Sequence, residues 1–438
     1  MDMAERSSEL SGFYKKSAEE RRKAVREFAG LEEGAAKAWL PPPGVDSAVL
    51  ERMIENVIGT FPLPLGVATN FRVNGKDYLV PMALEEPSVV AAASHAAKIA
   101  RAKGGFHAQT STPVMIGQIS LLDVPDPHAA RHRILAAQSD LLALANAKDP
   151  LLNKVGGGAR ELEVRLVPTP RGTILIVHLH VDVRDAMGAN AVNTMAEALA
   201  PELAKLSGGR RNLRILSNLA IHRVARAWAI FPKEELAGEG AAGPQVVEGV
   251  LDAWNFAAHD PFRCATHNKG IMNGISAVAI ATGNDFRALE AGAHSFAAWK
   301  AREGGVIAPL TTYEKNPDGD LVGTIEVPMA VGLVGGATAV HPTAKLDVRL
   351  LGVKSASELA EVMASVGLAQ NFAALRALAN EGIQKGHMAL HARNVAVMVG
   401  ATGPEVDELA RRLAEEHAVR QDRAKEILAQ MRSKAPQG

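Results

Sequence analysis

Apolar positions along the chain change period, and the change marks out a middle segment. Met115 to Val124 has a strand's pattern, Glu161 to Val167 puts Leu162, Val164 and Leu166 on one face, and Thr173 to Val183 follows the turn Thr169-Pro170-Arg171-Gly172. Pro127 to Ala147 instead spaces Ile134, Leu135, Leu141, Leu142 and Leu144 as a helix does. A second helix is expected from about Gly188 to Leu206, and Ala220 to Phe231 returns to a strand pattern.

Strand, helix, strand, strand, helix, strand is the split βαβ or ferredoxin-like order. The flanks, Met1 to about Thr112 and Pro232 to about Asn380, are helix-rich, with strands expected at Tyr78 to Met82, Gly305 to Tyr313 and Leu321 to Val331. The expected fold is α+β. A discontinuous large domain, 1–112 and 232–380, carries the inserted small domain 113–231 and is followed by a helical segment, 381–438. In that segment His387 to Val399 and Pro404 to Arg432 have helical patterns, and the dense charge of the second belongs to a solvated face.

Composition narrows the function classes. Of 438 residues 47% are hydrophobic and 22% charged, which suits a globular protein of two or three domains. Forty-eight basic residues balance 48 acidic ones, so no general affinity for nucleic acid or anionic membrane is expected. The strands from Met115 to Val183 also lack any aromatic residue on which a base could stack. One cysteine, Cys264, excludes an intrachain disulfide and fits a reducing compartment. The N-terminal MDMAERSSEL has no secretory apolar core, and Thr173 to Val183 is too short to span a bilayer as a helix. A cytoplasmic protein without a membrane partner is expected.

The candidate chemistry gathers in DPFRCATHNKGIMNGISAVAIATGND, Asp260 to Asp285. Lys269 stands there among His267, Asn268 and Asn273, followed by Gly270 and Gly274, a setting suited to partial burial beside an anionic partner. A turn lysine with a structural asparagine explains the same stretch. Cys264 near His267 invites a nucleophile reading, but a small buried residue explains it better. The one G-x-G-x-x-G, Gly238 to Gly243, reads as a plain flexible loop; Asp185-Ala186-Met187-Gly188 offers another phosphate cradle at the end of a strand, or simply an N-cap. His387 and His391 lie one helical turn apart, but with no H-E-x-x-H and no third ligand a metal site is not expected.

Taken together, PMALEEPSVVAAAS, DVRDAMGAN, GHMALHARN, ENVIGTFPLPLGVA, GLVGGAT and the lysine segment resemble, in order and across nearly the whole chain, the signature segments of 3-hydroxy-3-methylglutaryl-coenzyme A reductase, best in its compact class II form. The resemblance implies interconversion of mevalonate plus coenzyme A and hydroxymethylglutaryl-coenzyme A by two hydride transfers. It assigns catalysis to Glu86, Lys269, Asp285 and His387, choosing between Glu85 and Glu86 and between His387 and His391, which residue physics alone leaves equivalent. On that assignment Lys269 holds the oxyanion, Glu86 exchanges a proton in apolar surroundings, Asp285 bonds Lys269, and His387 protonates the thiolate. It further implies substrate contacts at Ser88, Arg263 and Asn273, and cofactor contacts at Asp149, Asp185, Met187, Gly188, Asn190 and Asn218. A carboxylate at Asp149 would accept from a ribose hydroxyl and repel a 2′-phosphate, so NAD(H) is expected over NADP(H), with a degradative role. The N-terminal GFYKKS leaves Lys15 or Lys16 for the coenzyme A phosphates. By the same resemblance the chain is a homodimer or trimer of dimers, with active sites between subunits and 381–438 as a lid. The competing expectation is a nicotinamide-dependent oxidoreductase of another carboxylated acyl-coenzyme A.

Overall fold

The computed structural model describes residues 7–32, 34–42, 45–237, 241–301, 305–380, 392–416 and 418–434. Their strands form two sheets. β1 (Leu65–Val73), β2 (Lys76–Ala83), β3 (Phe106–Thr110), β8 (Val224–Phe231), β9 (Thr311–Lys315) and β10 (Leu321–Pro328) make a six-stranded sheet of order β2-β1-β3-β8-β10-β9. β4 (Val114–Leu122), β5 (Gly158–Val167), β6 (Ile174–Asp182) and β7 (Arg210–Ser217) make a four-stranded antiparallel sheet of order β5-β6-β4-β7. With helices before β5 and before β7, the small sheet has the split βαβ arrangement, and the fold is α+β as expected.

One strand differs from expectation. The fourth member of the small sheet is β7, RRNLRILS, whereas the apolar stretch after Ala220 becomes β8 and pairs with β3 and β10 of the other sheet. An edge strand has a partner on one side only and needs few buried residues, so β7, with Leu213 and Ile215 exposed, gives little periodic signal. β1 and β3 were also unexpected: a bulge between Ala68 and Phe71 shifts the alternation of β1, and β3 has five residues. The Pro127 to Ala147 helix divides into Pro127–Ala136 and Gln138–Asn146, and Pro404 to Arg432 into Pro404–Glu415 and Gln421–Lys434. Of the expected helix His387 to Val399, residues 392–398 are helical, and the part before 392 lies outside the described residues.

The long helix Ala356–Asn380 packs against β3, β8 and β10 and against helices Val89–Arg101, Gly243–His259 and Pro261–Ala281. Phe372 on it stacks on Phe231 with centroids 3.8 Å apart. Its stretch Ala356–Ala379 is long and apolar enough to cross a membrane, yet 67% of its most apolar window is buried against these neighbours, which makes it a core helix. A separate core joins Leu175, Val177, Leu179 and Val181 of β6 to Met195, Leu199 and Leu203 of helix Ala189–Ser207. Between the two layers Arg223 is buried and donates to the carbonyls of Ala186 and Met187 at 3.0 and 2.9 Å and to that of Val331. Leu333 N–H donates to Asp185 O at 2.9 Å, so the turn after β6 is fixed to the strand-to-helix connection after β10.

Candidate active site

Helix Pro261–Ala281 begins with proline at its first position and with Asp260 accepting from Arg263 N–H at 2.6 Å. Three- and four-residue spacing sets Phe262, Thr266, Lys269 and Asn273 along its outer side, while Cys264, His267, Asn268 and Ile271 point inward. Lys269 is therefore a helical residue and not part of a turn. Its Nζ lies 3.3 Å from Glu86 Oε2, and Asn273 Nδ2 donates to the same oxygen at 3.3 Å. Glu86 occupies the connection from β2 to helix Val89–Arg101, and Ser88 enters that helix at φ 75° with its hydroxyl not used as a cap. A left-handed serine costs free energy and is kept where surrounding structure demands it.

These residues line a cleft of ≈ 500 Å³ with Arg263, closed by Gln370, Asn371 and Leu378 of the long helix. Burial lowers the Arg263 pKa, and no carboxylate among the described residues offsets it. A partly desolvated guanidinium in a cleft is a ready carboxylate receptor. Glu85 is exposed and stands outside the cleft, so geometry separates the two glutamates.

Two expectations change here. The Lys269 side chain is 60% exposed in the single chain, not held in a water-poor pocket, and Glu86 faces Lys269 and Asn273 in place of an apolar wall. The close approach foreseen for the glycines occurs at Gly274, where a Cβ would lie 3.0 Å from Val366 of the long helix; above Gly270 the space is open.

Behind the cleft His267 Nε2 and Thr311 Oγ1 are 2.6 Å apart, and Asn371 Oδ1 accepts from Thr311 and Tyr313 hydroxyls at 2.9 Å each. Thr311 has one proton and directs it to Asn371, so His267 donates from Nε2, and the lone pair at buried Nδ1 has no partner among the described residues. Burial, and then the charge of Arg263, push the His267 pKa down to about 3, keeping the ring neutral. Burial raises the Cys264 thiol to about 11, which removes it as a nucleophile.

The second cleft, ≈ 640 Å³, is lined by Asp149, Met187, Gly188 and Asn190, with Asn284, Asp285, Arg287, Gly332 and Gly335 opposite. Gly188 N-caps helix Ala189–Ser207 at φ 105°, and a Cβ there would come within 2.7 Å of Val183. Only glycine fits, and the free N–H groups of the first turn face the cleft entrance with the positive end of the helix. Asp149 caps the short helix Pro150–Lys154, accepting from Leu152 N–H at 2.9 Å. Asp185 and Asn218 do not line this cleft: Asp185 accepts from Ala356 N–H at 2.7 Å, and Asn218 O, against which Gly292 packs, accepts from Ala220 N–H. Sequence reasoning missed Asn284, whose Oδ1 accepts from Gly332 N–H at 2.8 Å and shapes the far wall. Its only sequence signal was its place beside Asp285. Arg287, Gln370 and Asn371 were missed as well, because isolated polar residues on helices carry no pattern.

Asp285 caps helix Phe286–Lys300, accepting from Ala288 N–H at 3.1 Å, with Arg287 3.8 Å away. The expected Lys269–Asp285 bond is not formed. Lys269 lies near the middle of helix Pro261–Ala281 and Asp285 beyond its C-terminus, so about 18 Å of helix rise separates them, beyond the reach of a lysine side chain. His387 and its neighbour His391 lie outside the described residues.

One cleft can thus seat a carboxylate at Arg263, set a cation where negative charge develops and exchange a proton at Glu86; the other can receive a phosphate at a helix start. Residues 17–392 match the family model of hydroxymethylglutaryl-coenzyme A reductase. The 3-hydroxy-3-methylglutaryl-coenzyme A reductase of Archaeoglobus fulgidus is 58% identical over 427 residues, 98% of this chain and 95% of that one. A probable reductase of the same name from Borreliella burgdorferi is 37% identical over 79% of this chain and 78% of its own. The class II reductase of Streptococcus pneumoniae, solved bound to NADPH in open conformations, superposes with a TM-score of 0.74 at 42% identity, covering 95% of this chain and all of that one. From its sequence, its fold and these likenesses, the chain belongs to the hydroxymethylglutaryl-coenzyme A reductase family of oxidoreductases, in the class II branch.

Proposed function

We propose that this chain interconverts mevalonate plus coenzyme A and hydroxymethylglutaryl-coenzyme A with NAD(H), serving mevalonate degradation. The observation that carries this reading is the Lys269–Glu86–Asn273 cluster in one cleft with Arg263, which meets no carboxylate among the described residues. Arg263 and Ser88 hold the substrate carboxylate, and Asn273 orients Glu86. Lys269 stabilises the oxyanion as the acyl carbon changes from trigonal to tetrahedral. Glu86 gives the aldehyde oxygen its proton in reduction and takes the alcohol proton in oxidation. His387 protonates the departing thiolate, and the segment 381–438 acts as a lid. The nicotinamide, seated by Met187, Gly188 and Asn190, would supply or accept hydride at the acyl carbon. Asp185 and Asn218 support that seat from behind, and Lys15 or Lys16 meets the coenzyme A phosphates.

Asp285 and Lys269 belong to one catalytic group only if two chains combine, Asp285 coming from a second copy. Phe61 and Phe262 are 89% and 85% exposed, and Phe262 adjoins the cleft, so a subunit contact there would bury apolar area beside the site. A homodimer, or a trimer of dimers, in the cytoplasm is the proposed assembly.

Asp149 supports NAD over NADP, since its carboxylate in the cofactor cleft repels a 2′-phosphate. Arg287 in the same cleft favours the second reading, NADP, the cofactor type of the pneumococcal structure. Initial rates with mevalonate, coenzyme A and either cofactor decide between them: a higher kcat/KM with NAD is expected, and a higher one with NADP would reverse the choice. Turnover with neither, in either direction, would leave another carboxylated acyl-coenzyme A as the substrate.

A further inference from the structure

On the face of the small sheet opposite its helices, alternation places a second polar group that the reductase chemistry does not use. β6 sends Leu175, Val177, Leu179 and Val181 into the core and therefore His178 and His180 to the other side. β5 likewise buries Leu162 and Val164 and turns out Glu161 and Glu163. The register sets Glu163 opposite His178 and Glu161 opposite His180, giving two cross-strand His–Glu pairs one step apart.

The two pairs are spaced like ligands. His178 Nδ1 lies 3.4 Å from Glu163 Oε2 and His180 Nδ1 3.5 Å from Glu161 Oε2. Both separations exceed the usual N–H···O length of about 2.9 Å. Both are close to the spacing of about 3.3 Å between ligand atoms around a tetrahedral zinc with bonds of about 2.0–2.1 Å. Ligand atoms of Glu163, His178 and His180 all fall within 4.8 Å of one another, and the exposed Glu163 carboxylate can rotate to close the remaining distance.

The histidines are 8% and 9% exposed, and His180 Nε2 is buried with no hydrogen-bond partner among the described residues. On the other ring, Arg165 can only donate to His178 Nε2, at 3.3 Å, with Gln118 Nε2 at 2.9 Å, so Nδ1 carries the ring proton toward Glu163; a cation bound at Nδ1 would move that proton to Nε2 and turn the exposed Arg165 away. The ring of His222 lies 4.8 Å from that of His180, bringing a further imidazole to the border of the group.

We propose that His178, His180 and Glu163 bind one divalent transition cation of the zinc class on the β5–β6 face, with Glu161 beside His180. Imidazole with carboxylate is a donor set for zinc and its neighbours, not for calcium or magnesium. The bound ion would cross-link β5 to β6 just before the turn Asp182–Met187, and so brace the strand that presents the cofactor cradle. Its ligands are two residues apart on one strand and fifteen residues back on another, a spacing no linear motif encodes.

The test uses the full chain, stripped with a chelator, desalted and titrated calorimetrically with zinc chloride alone. One equivalent is expected to bind, with affinity reduced at least tenfold in His180→Gln and in Glu163→Gln and unchanged in the double variant His387→Asn/His391→Asn. Hydrogen exchange of the wild-type chain needs no substitution: zinc should slow it in β5 and β6. No binding, binding insensitive to His180→Gln and Glu163→Gln in folded protein, or protection confined to segments outside β5 and β6 would overturn the proposal.

Discussion

The two clefts flanking helix Pro261–Ala281 are built from opposite kinds of material. In the substrate cleft the polar side chains are largely uncommitted: Arg263 meets no carboxylate among the described residues, the Ser88 hydroxyl caps nothing, and Lys269 holds only Glu86 at an exposed site. In the cofactor cleft they are already bound to the fold. Asp149 and Asp285 cap helices, Asn284 holds Gly332, and Gly188 occupies a backbone conformation that no other residue takes easily. Substitutions in the first should therefore alter function and spare stability, whereas those in the second should alter both.

Arg263→Ala should separate function from stability most cleanly. Losing a charge-assisted carboxylate contact of about 1.5–3 kcal/mol should raise the KM for mevalonate about 10- to 150-fold, with a melting temperature near wild type. A large loss of stability would place Arg263 in the framework and end the contrast. Gly188→Ala should fail on both counts. Its Cβ meets Val183 at 2.7 Å in a left-handed conformation, so destabilisation of about 1–3 kcal/mol should accompany weaker cofactor binding, seen by denaturant unfolding and by fluorescence titration.

His267 tests the layer beneath the substrate cleft. Its folded pKa of about 3 lies below the unfolded value near 6.5, so between these limits the unfolded chain binds the extra proton. Stability is then full above pH 6.5 and falls as the pH drops toward 3, by up to about 1.4 kcal/mol per pH unit from this ring. His267→Gln should flatten that part of the slope in urea unfolding at several pH values, leaving the shares of His95, His178 and His222. An unchanged slope would exclude a neutral buried ring. The smallest effect is expected for Asp149→Ala: about 1 kcal/mol of stability through the lost cap, together with a shift of the NAD-to-NADP ratio toward NADP of about tenfold. A ratio that stays constant would remove Asp149 from cofactor choice.

The same contrast governed what could be read from sequence. The small sheet was legible because β4, β5 and β6 alternate apolar with polar residues over much of their length, but β7 sits at an edge and was replaced in the reading by β8, whose apolar residues belong to the other sheet. Lys269, Glu86, Arg263, Ser88 and Asn273 were named from motifs and do meet in one cleft. A Lys269–Asp285 bond within one chain is excluded because a motif has no length: once GIMNGISAVAIA is a helix, its rise separates the two residues. Asp185 sits in the expected segment but faces Ala356, since a side chain's direction depends on a partner far along the chain.

Lys269 is where the account is most exposed. The decisive measurement is steady-state formation of reduced nicotinamide from mevalonate and coenzyme A by wild type and Lys269→Ala, with melting curves of both. A loss of about 10²- to 10³-fold in kcat at an unchanged melting temperature is expected of an exposed lysine that stabilises an oxyanion. A variant that keeps the wild-type kcat would show that the cation at Glu86 takes no part in the chemistry.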